Sequence, residues 1–246
     1  MRLLLVNANT TEAITLACVG AARAAAAKDT EIEPATARFG PAVIANRAEN
    51  AVAAHAVLDL LAERADRCEA VLLAVSFDTG LAAARDLLAI PVLGMTQAAC
   101  LVACAYGNRF GLVSFSSAAM YRELIAGYGL ASRLAGIALI DCAPTEAASA
   151  PEAVADKVAD ATERLAREGA ESVVLAGAAF SAVAPRATER SPLPLIDGIV
   201  AGVKLAEALV ALRAQRSPGT PTAVPRQSKG LSPALASLLA RTPASG

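Results

Sequence analysis

The feature that most limits how this chain can fold is that it repeats itself. Residues 69–75, EAVLLAV, match residues 171–177, ESVVLAG, without a gap at an offset of 102 residues. Two further pieces keep step: IPVLGMTQAACLVACA, from Ile90, answers LPLIDGIVAGVKLAEA, from Leu193, and LLLVNANTT, from Leu3, answers FGLVSFSSA, from Phe110. Such a chain is expected to build two like units. If these face each other about an approximate twofold axis, their matching turns meet at one cleft, the natural place for a small ligand. Four turns qualify, at 7–11, 75–80, 114–117 and 177–181.

Short leucine-rich or β-branched runs alternate with longer alanine-rich helical stretches, the pattern of parallel sheets covered by helices. Strands are expected at 2–6, 31–35, 70–75, 91–93, 110–114, 136–140, 172–176 and 193–196. The expected fold is α/β, two pseudo-symmetric Rossmann/flavodoxin-like domains with parallel sheets and a cleft between them. The first domain takes residues 1–97 plus 198–214, and the second takes 98–197. Helix 153–167 carries Val154, Val158, Ala161 and Leu165 on one stripe and belongs at the surface, whereas TQAACLVACAY is apolar nearly all round and reads as internal. From Gln215 the chain is rich in Pro, Ser, Gly and Thr and reads as a disordered tail, with one alternative: a short helix with Ser232 as N-cap and Pro233 in first position.

Composition excludes several classes of function. With 22 basic and 23 acidic residues, 3% aromatics and no tryptophan, the chain lacks the basic patch and the stacking platform of a nucleic-acid binder. Its hydrophobic fraction of 55% is largely alanine, and the apolar runs stop well short of the ~20 residues that span a bilayer. The N-terminus reads as a first strand rather than a secretory signal, so a cytoplasmic protein is expected. Five cysteines without paired spacing suit free thiols better than disulfides or a metal site, and no metal is expected.

The turns carry the chemistry. NANTT places Asn7, Asn9, Thr10 and Thr11 ahead of a helix, where they would cap it or grip an anion. The matching turn offers Ser114, Ser116 and Ser117, with Tyr121 one helical turn on. Capping explains one serine but hardly three, so a small carboxylate or imide ligand is expected.

These residues resemble the aspartate/glutamate/hydantoin racemase superfamily, most closely its hydantoin and allantoin racemases, over roughly the first 213 residues. The resemblance rests on LLLVNANTT, which looks like the family's Asn-Pro-Asn-Thr opening, and on GPAVI at Gly40. It rests most firmly on FDTGLAAARDLLAIPVLGMTQAA and PLIDGIVAGVKLAEALVAL. It implies a two-domain fold, a small-molecule substrate with an acidic C–H, no cofactor and a homo-oligomer. It also implies two cysteines on opposite sides of the substrate carbon, one removing a proton as thiolate and one returning a proton as thiol.

Aligned on DTGL and on VVLAGAAF, those two positions hold Val75 and Gly177, which agree with the repeat offset and cannot exchange a proton. Ser76 and Asp78 are the substitutes nearest the first position. Ser76 would point to the wrong face unless the strand has already turned, and Asp78 could instead cap the next helix. The only histidine, His55, lies in a helical stretch, and Cys100 and Cys104 share one helix face as small hydrophobes. Ligand contacts are expected from Asn7, Asn9, Thr10, Ser76, Phe77, Ser114, Ser116, Tyr121, Gly177 and Ala178. Of these, Asn9, Thr10, Ser76, Ser114 and Ser116 would stabilise an enolate-like or carboxylate oxygen without a thiol relay. Two alternatives are a decarboxylase acting on a malonate-type acid and a catalytically silent metabolite binder.

Overall fold

The computed structural model describes residues 1–115, 117–143, 146–212 and 228–240. The strands are β1 (Arg2–Asn7), β2 (Glu31–Thr36), β3 (Ala70–Leu73), β4 (Val92–Gly94), β5 (Phe110–Ser114), β6 (Leu134–Leu139), β7 (Ser172–Ala176) and β8 (Leu195–Asp197). The helices are α1 (Glu12–Ala25), α2 (Arg47–Arg64), α3 (Leu81–Leu87), α4 (Met95–Tyr106) and α5 (Ala118–Gly127). They continue with α6 (Glu146–Ser149), α7 (Pro151–Arg167), α8 (Ala184–Arg190), α9 (Gly198–Ala211) and α10 (Pro233–Ala240).

The eight strands form two four-stranded parallel sheets, ordered β2-β1-β3-β4 and β6-β5-β7-β8. The repeat in the sequence is thus a repeat of topology, and each sheet is covered on both faces. Alternating side chains explain why. Leu4 and Val6 of β1 join Val57 and Leu61 of α2 on one side. Leu3 and Leu5 join Val19 of α1 with Ile199 and Val203 of α9 on the other. In the second sheet Val173 and Leu175 face Val158 and Leu165 of α7, while Val174 and Ala176 share a cluster with Ile125 of α5.

The two units exchange helices. Helix α4 leaves the first sheet and packs on β7, whereas α9 leaves the second and packs on β3 and β4, and the two helices pack against each other. Their N-termini approach so closely that a Cβ on Gly198 would lie 2.7 Å from the Met95 carbonyl oxygen, and the Asp197 carboxylate caps α9 by accepting from Ile199 N and Val200 N. On this exchange we propose the domain partition stated above, with residues 213 and 214 outside the described part.

Two expectations are corrected. Helix α4 is not wholly internal, since its outer face leaves Leu101 and Tyr106 half or more exposed. A helix lying between two units still turns one stripe to solvent. Residues 233–240 of the expected tail form α10, which packs on α2 with Leu235 and Leu238 buried. The Ser232 hydroxyl accepts from Leu235 N at its start, as the alternative reading required. Residues 213–227 and 241–246 lie outside the described residues. No described helix is long and apolar enough to cross a membrane.

Candidate functional site

A cavity of about 190 Å³ opens at the C-terminal ends of β1, β3, β5 and β7, the end of a parallel sheet where ligands bind. All four turns reach it: Asn9 from the first, Val75, Ser76 and Phe77 from the second, Ser114 and Phe115 from the third, and Gly177, Ala178 and Ala179 from the fourth. Tyr121 of α5 adds a ring.

The corner after β3 settles the question of which way Ser76 points. The strand ends at Leu73, two residues earlier than its composition suggests, and the chain turns, with Asp78 N donating to the Val75 carbonyl at 3.0 Å. Both Val75 and Ser76 therefore line the cavity. Asp78 does not line it. It sits at φ 47°, a left-handed conformation that aspartate tolerates better than most residues, and its carboxylate is buried. That carboxylate accepts from Thr96 N at 2.9 Å, Gln97 N at 2.7 Å and the Tyr128 hydroxyl. It caps α4, not the helix that follows it. Burial pushes the Asp78 carboxyl up to about 6, against the opposing pull of these hydrogen bonds and of the Arg85 charge. With its oxygens occupied and turned from the cavity, Asp78 is not placed to carry a proton to a ligand.

The corner after β7 is built differently. Gly177 is extended, at φ 169°, and a short 3₁₀ helix, Ala178–Ala182, follows. Behind it Phe180, fully buried, stacks on Phe115 with ring centroids 4.1 Å apart and 11° between planes. A Cβ on Gly177 would fall 3.0 Å from Phe180 and 3.1 Å from Phe115. A side chain at 177 would thus need the aromatic pair to give way by a few tenths of an ångström.

The first and third turns divide the polar work. The Asn7 amide is consumed internally: the two hydrogens of its Nδ2 are shared among Asn9 Oδ1, the Thr11 carbonyl and Thr15 Oγ1. Thr10 lies outside the cavity, its N–H donating to the Pro41 carbonyl. Neither Thr10 nor Thr11 caps α1 with its side chain, and the Thr11 hydroxyl donates instead to the Ala42 carbonyl. Asn9 is the informative residue. Its Oδ1 accepts from Thr11 N at 3.0 Å, and since a main-chain N–H can only donate, the oxygen must face that way. The Asn9 NH₂ is left for the cavity.

Opposite, the hydroxyls of Ser114 and Tyr121 both donate to the Ala176 carbonyl, at 2.9 and 3.0 Å. They are less available to grip an anion than their positions in the sequence suggest. Burial pushes the Tyr121 phenol up to about 12, against the opposing hydrogen bond from Ser76. It stays neutral. Ser116 lies outside the described residues.

Among the described lining residues there is no imidazole, carboxylate, cation or thiol. His55 is on the outer face of α2, edge-on to Phe39 at 5.2 Å. All five cysteines are free and none lines the cavity. Burial pushes Cys18 up to about 12 and Cys100 well above its ordinary range, so neither favours a thiolate. Sequence reasoning missed Ile14, Val43 and Ile44, which close the cavity with apolar surface. The motif GPAVI was a signal for the last two, because Pro41 and Ala42 staple this loop to the first turn.

The chain is similar over 222 residues to the hydantoin racemase of Paenarthrobacter aurescens, at 31% identity over 88% of this chain and 94% of that protein. It is similar to the hydantoin racemase of Pseudomonas sp. (strain NS671) at 29% identity, covering 86% and 87%. Among solved structures, the allantoin racemase from Klebsiella pneumoniae matches with a TM-score of 0.84 at 30% identity, over 97% of this chain and 98% of that one. The Asp/Glu/Hydantoin racemase family model matches residues 3–206. With its two parallel sheets and the cavity between them, this chain belongs to the Asp/Glu/hydantoin racemase family.

Proposed function

We propose that the cavity takes a neutral, imide-type C–H acid, a cyclic ureide such as a hydantoin, and handles it without a thiol relay. The observation that carries this reading is the lining itself. A carboxylate or malonate dianion would enter a mostly apolar cavity with no described cation to meet it, a transfer that costs several kcal/mol unless the charge is paired. A neutral imide carries no such charge. Its carbonyl suits the Asn9 NH₂, and its flat ring suits a space lined by Phe77, Phe115 and Tyr121. The hydantoin and allantoin racemases to which the chain is similar support the same ligand class. The malonate reading is correspondingly weaker.

Racemisation by two proton carriers requires one on each side of the acidic carbon. The positions that the resemblance assigns to them hold Val75 and Gly177, and the second is backed by an aromatic stack. We therefore assign the chain a polarising role. Asn9 withdraws charge toward the carbonyl oxygen, Ser76 contacts the ligand from the first corner, and the proton exchanges with water admitted to the cavity.

Thermal-shift titration with 5-substituted hydantoins, allantoin and malonate tests the binding step. Stabilisation by the imides and not by malonate is expected, and the reverse order overturns the reading. Hydrogen–deuterium exchange at C5 of the best imide, before and after thiol alkylation, tests the chemistry. Exchange insensitive to alkylation supports the proposal, exchange abolished by it shows a cysteine in the site, and binding without exchange identifies a silent binder.

A further inference from the structure

We infer that Asp78 is a positioning residue for the cavity: its carboxylate ties the corner that carries Val75, Ser76 and Phe77 to α5, which carries Tyr121. The inference rests on reading the cavity as the ligand site, and it adds a residue that touches no ligand.

A helix cap needs only the main-chain donors at the start of α4, and Asp78 has those in Thr96 N and Gln97 N. The third donor is of another kind. Tyr128 lies at the C-terminal end of α5, seven residues beyond Tyr121 and so on the same face of the chain's helical path. Its hydroxyl reaches Asp78 Oδ2. The first turn of α4 holds the corner twice, because Thr96 also donates its hydroxyl to the Ser76 carbonyl at 2.6 Å. Across the cavity wall the Phe77 and Tyr121 rings pack with centroids 4.8 Å apart. A bolt running from Asp78 to Tyr128 thus brackets the pair of rings that faces the ligand. The fit behind it is close: a Cβ on Gly94 would lie 2.2 Å from the Asp78 carboxyl carbon, so the carboxylate occupies the space that a side chain there would need.

The groups facing Asp78 are Tyr128 and Tyr121 on α5, Cys100 on α4 and Arg85 on α3, whose charge favours the carboxylate. Burial is the main cause that raises the Tyr121 phenol and the Cys100 thiol, and the negative charge of Asp78 adds to both, so a change in that charge reaches Tyr121 on the cavity wall. A protonated carboxyl would carry a donor where Tyr128 now donates, and the tie to α5 would have to rearrange.

The chain has three tyrosines, Tyr106, Tyr121 and Tyr128, which allows a test without any ligand. Protein labelled with 3-fluorotyrosine gives three ¹⁹F signals, assigned by replacing each tyrosine with phenylalanine. On titration through about pH 6 the Tyr121 and Tyr128 signals are expected to move together, while exposed Tyr106 stays still. In Asp78→Asn the Tyr121 signal should hold one position across that range, and in Tyr128→Phe it should be displaced by more than its linewidth. If Tyr121 keeps its wild-type position and titration in folded Tyr128→Phe, which loses a single hydrogen bond, Asp78 is a helix cap only and the inference is overturned. Because no ligand enters, failure of the imide reading and failure of this one are told apart.

Discussion

The corner after β3 and the corner after β7 hold matching places in the repeat, yet they are secured by opposite means. The first is locked by polar contacts: a buried carboxylate in a left-handed conformation, gripping the start of α4 and the end of α5. The second is locked by apolar packing, a glycine in extended backbone with two stacked phenylalanines behind it. At both, the residue at the matching place in the repeat, Val75 or Gly177, has no proton to exchange. The comparison teaches that what packs behind a corner decides its shape. The residue in front is then free to change chemistry while the cavity persists.

The largest effect that could break the comparison comes from the apolar corner. Truncating fully buried Phe180 to alanine should cost about 3–5 kcal/mol in chemical denaturation, as for other buried aromatics, and the loss should not depend on pH. Removing the polar lock with Asp78→Ala should cost about 2–4 kcal/mol, because the Thr96 and Gln97 N–H groups are left buried without an acceptor. Here pH does matter. The Asp78 carboxyl is raised from 3.8 to about 6 by burial, so folding favours the protonated form. Its contribution is fully present below pH 3.8, the unfolded value, and is lost as the pH rises through about 6. The stability of the wild type relative to Asp78→Asn should therefore fall across that window. A flat difference would show that the carboxyl keeps its ordinary affinity for protons.

Smaller effects sharpen the comparison. Gly177→Cys forces a side chain against Phe115 and Phe180 and should cost about 1–3 kcal/mol, the usual range for overpacking. Val75→Cys exchanges side chains of similar size and should cost less than ~1.5 kcal/mol. Introduced together, these cysteines are expected to add alkylation-sensitive C5 exchange on a hydantoin only when Phe115 is also shortened to leucine. Alkylation-sensitive exchange in the simple pair, followed in deuterated solvent, would show that the stack yields more easily than its geometry suggests.

Much of this was legible in the residues. Every run picked out as a strand is one, and the inner strands β1, β3, β5 and β7 were the plainest, because a strand buried on both faces is apolar along nearly its whole length. The ends were less legible. β3 stops at Leu73 although Ala74 and Val75 continue the apolar run, since pairing with β4 ends there. Nor does Asn9 look different from Asn7 in the sequence, yet one amide is spent on its neighbours and the other is open. Ser114 and Tyr121 read as ligand donors, but only the fold brings the Ala176 carbonyl between them.

By itself, the sequence determined that this chain builds two like α/β units with opposed turns, and that the paired corners hold valine and glycine. Periodicity and repeat are local properties, written in neighbouring residues. Only the tertiary structure decided where Asp78 points, what fills the space beside Gly177 and which amide faces the cavity. Asp78 is held by partners 18 to 50 residues away in the chain, and even where the partners are near, as for the amides of Asn7 and Asn9, a hydrogen bond or a stacked ring exists only once folding has placed both members within a few ångströms.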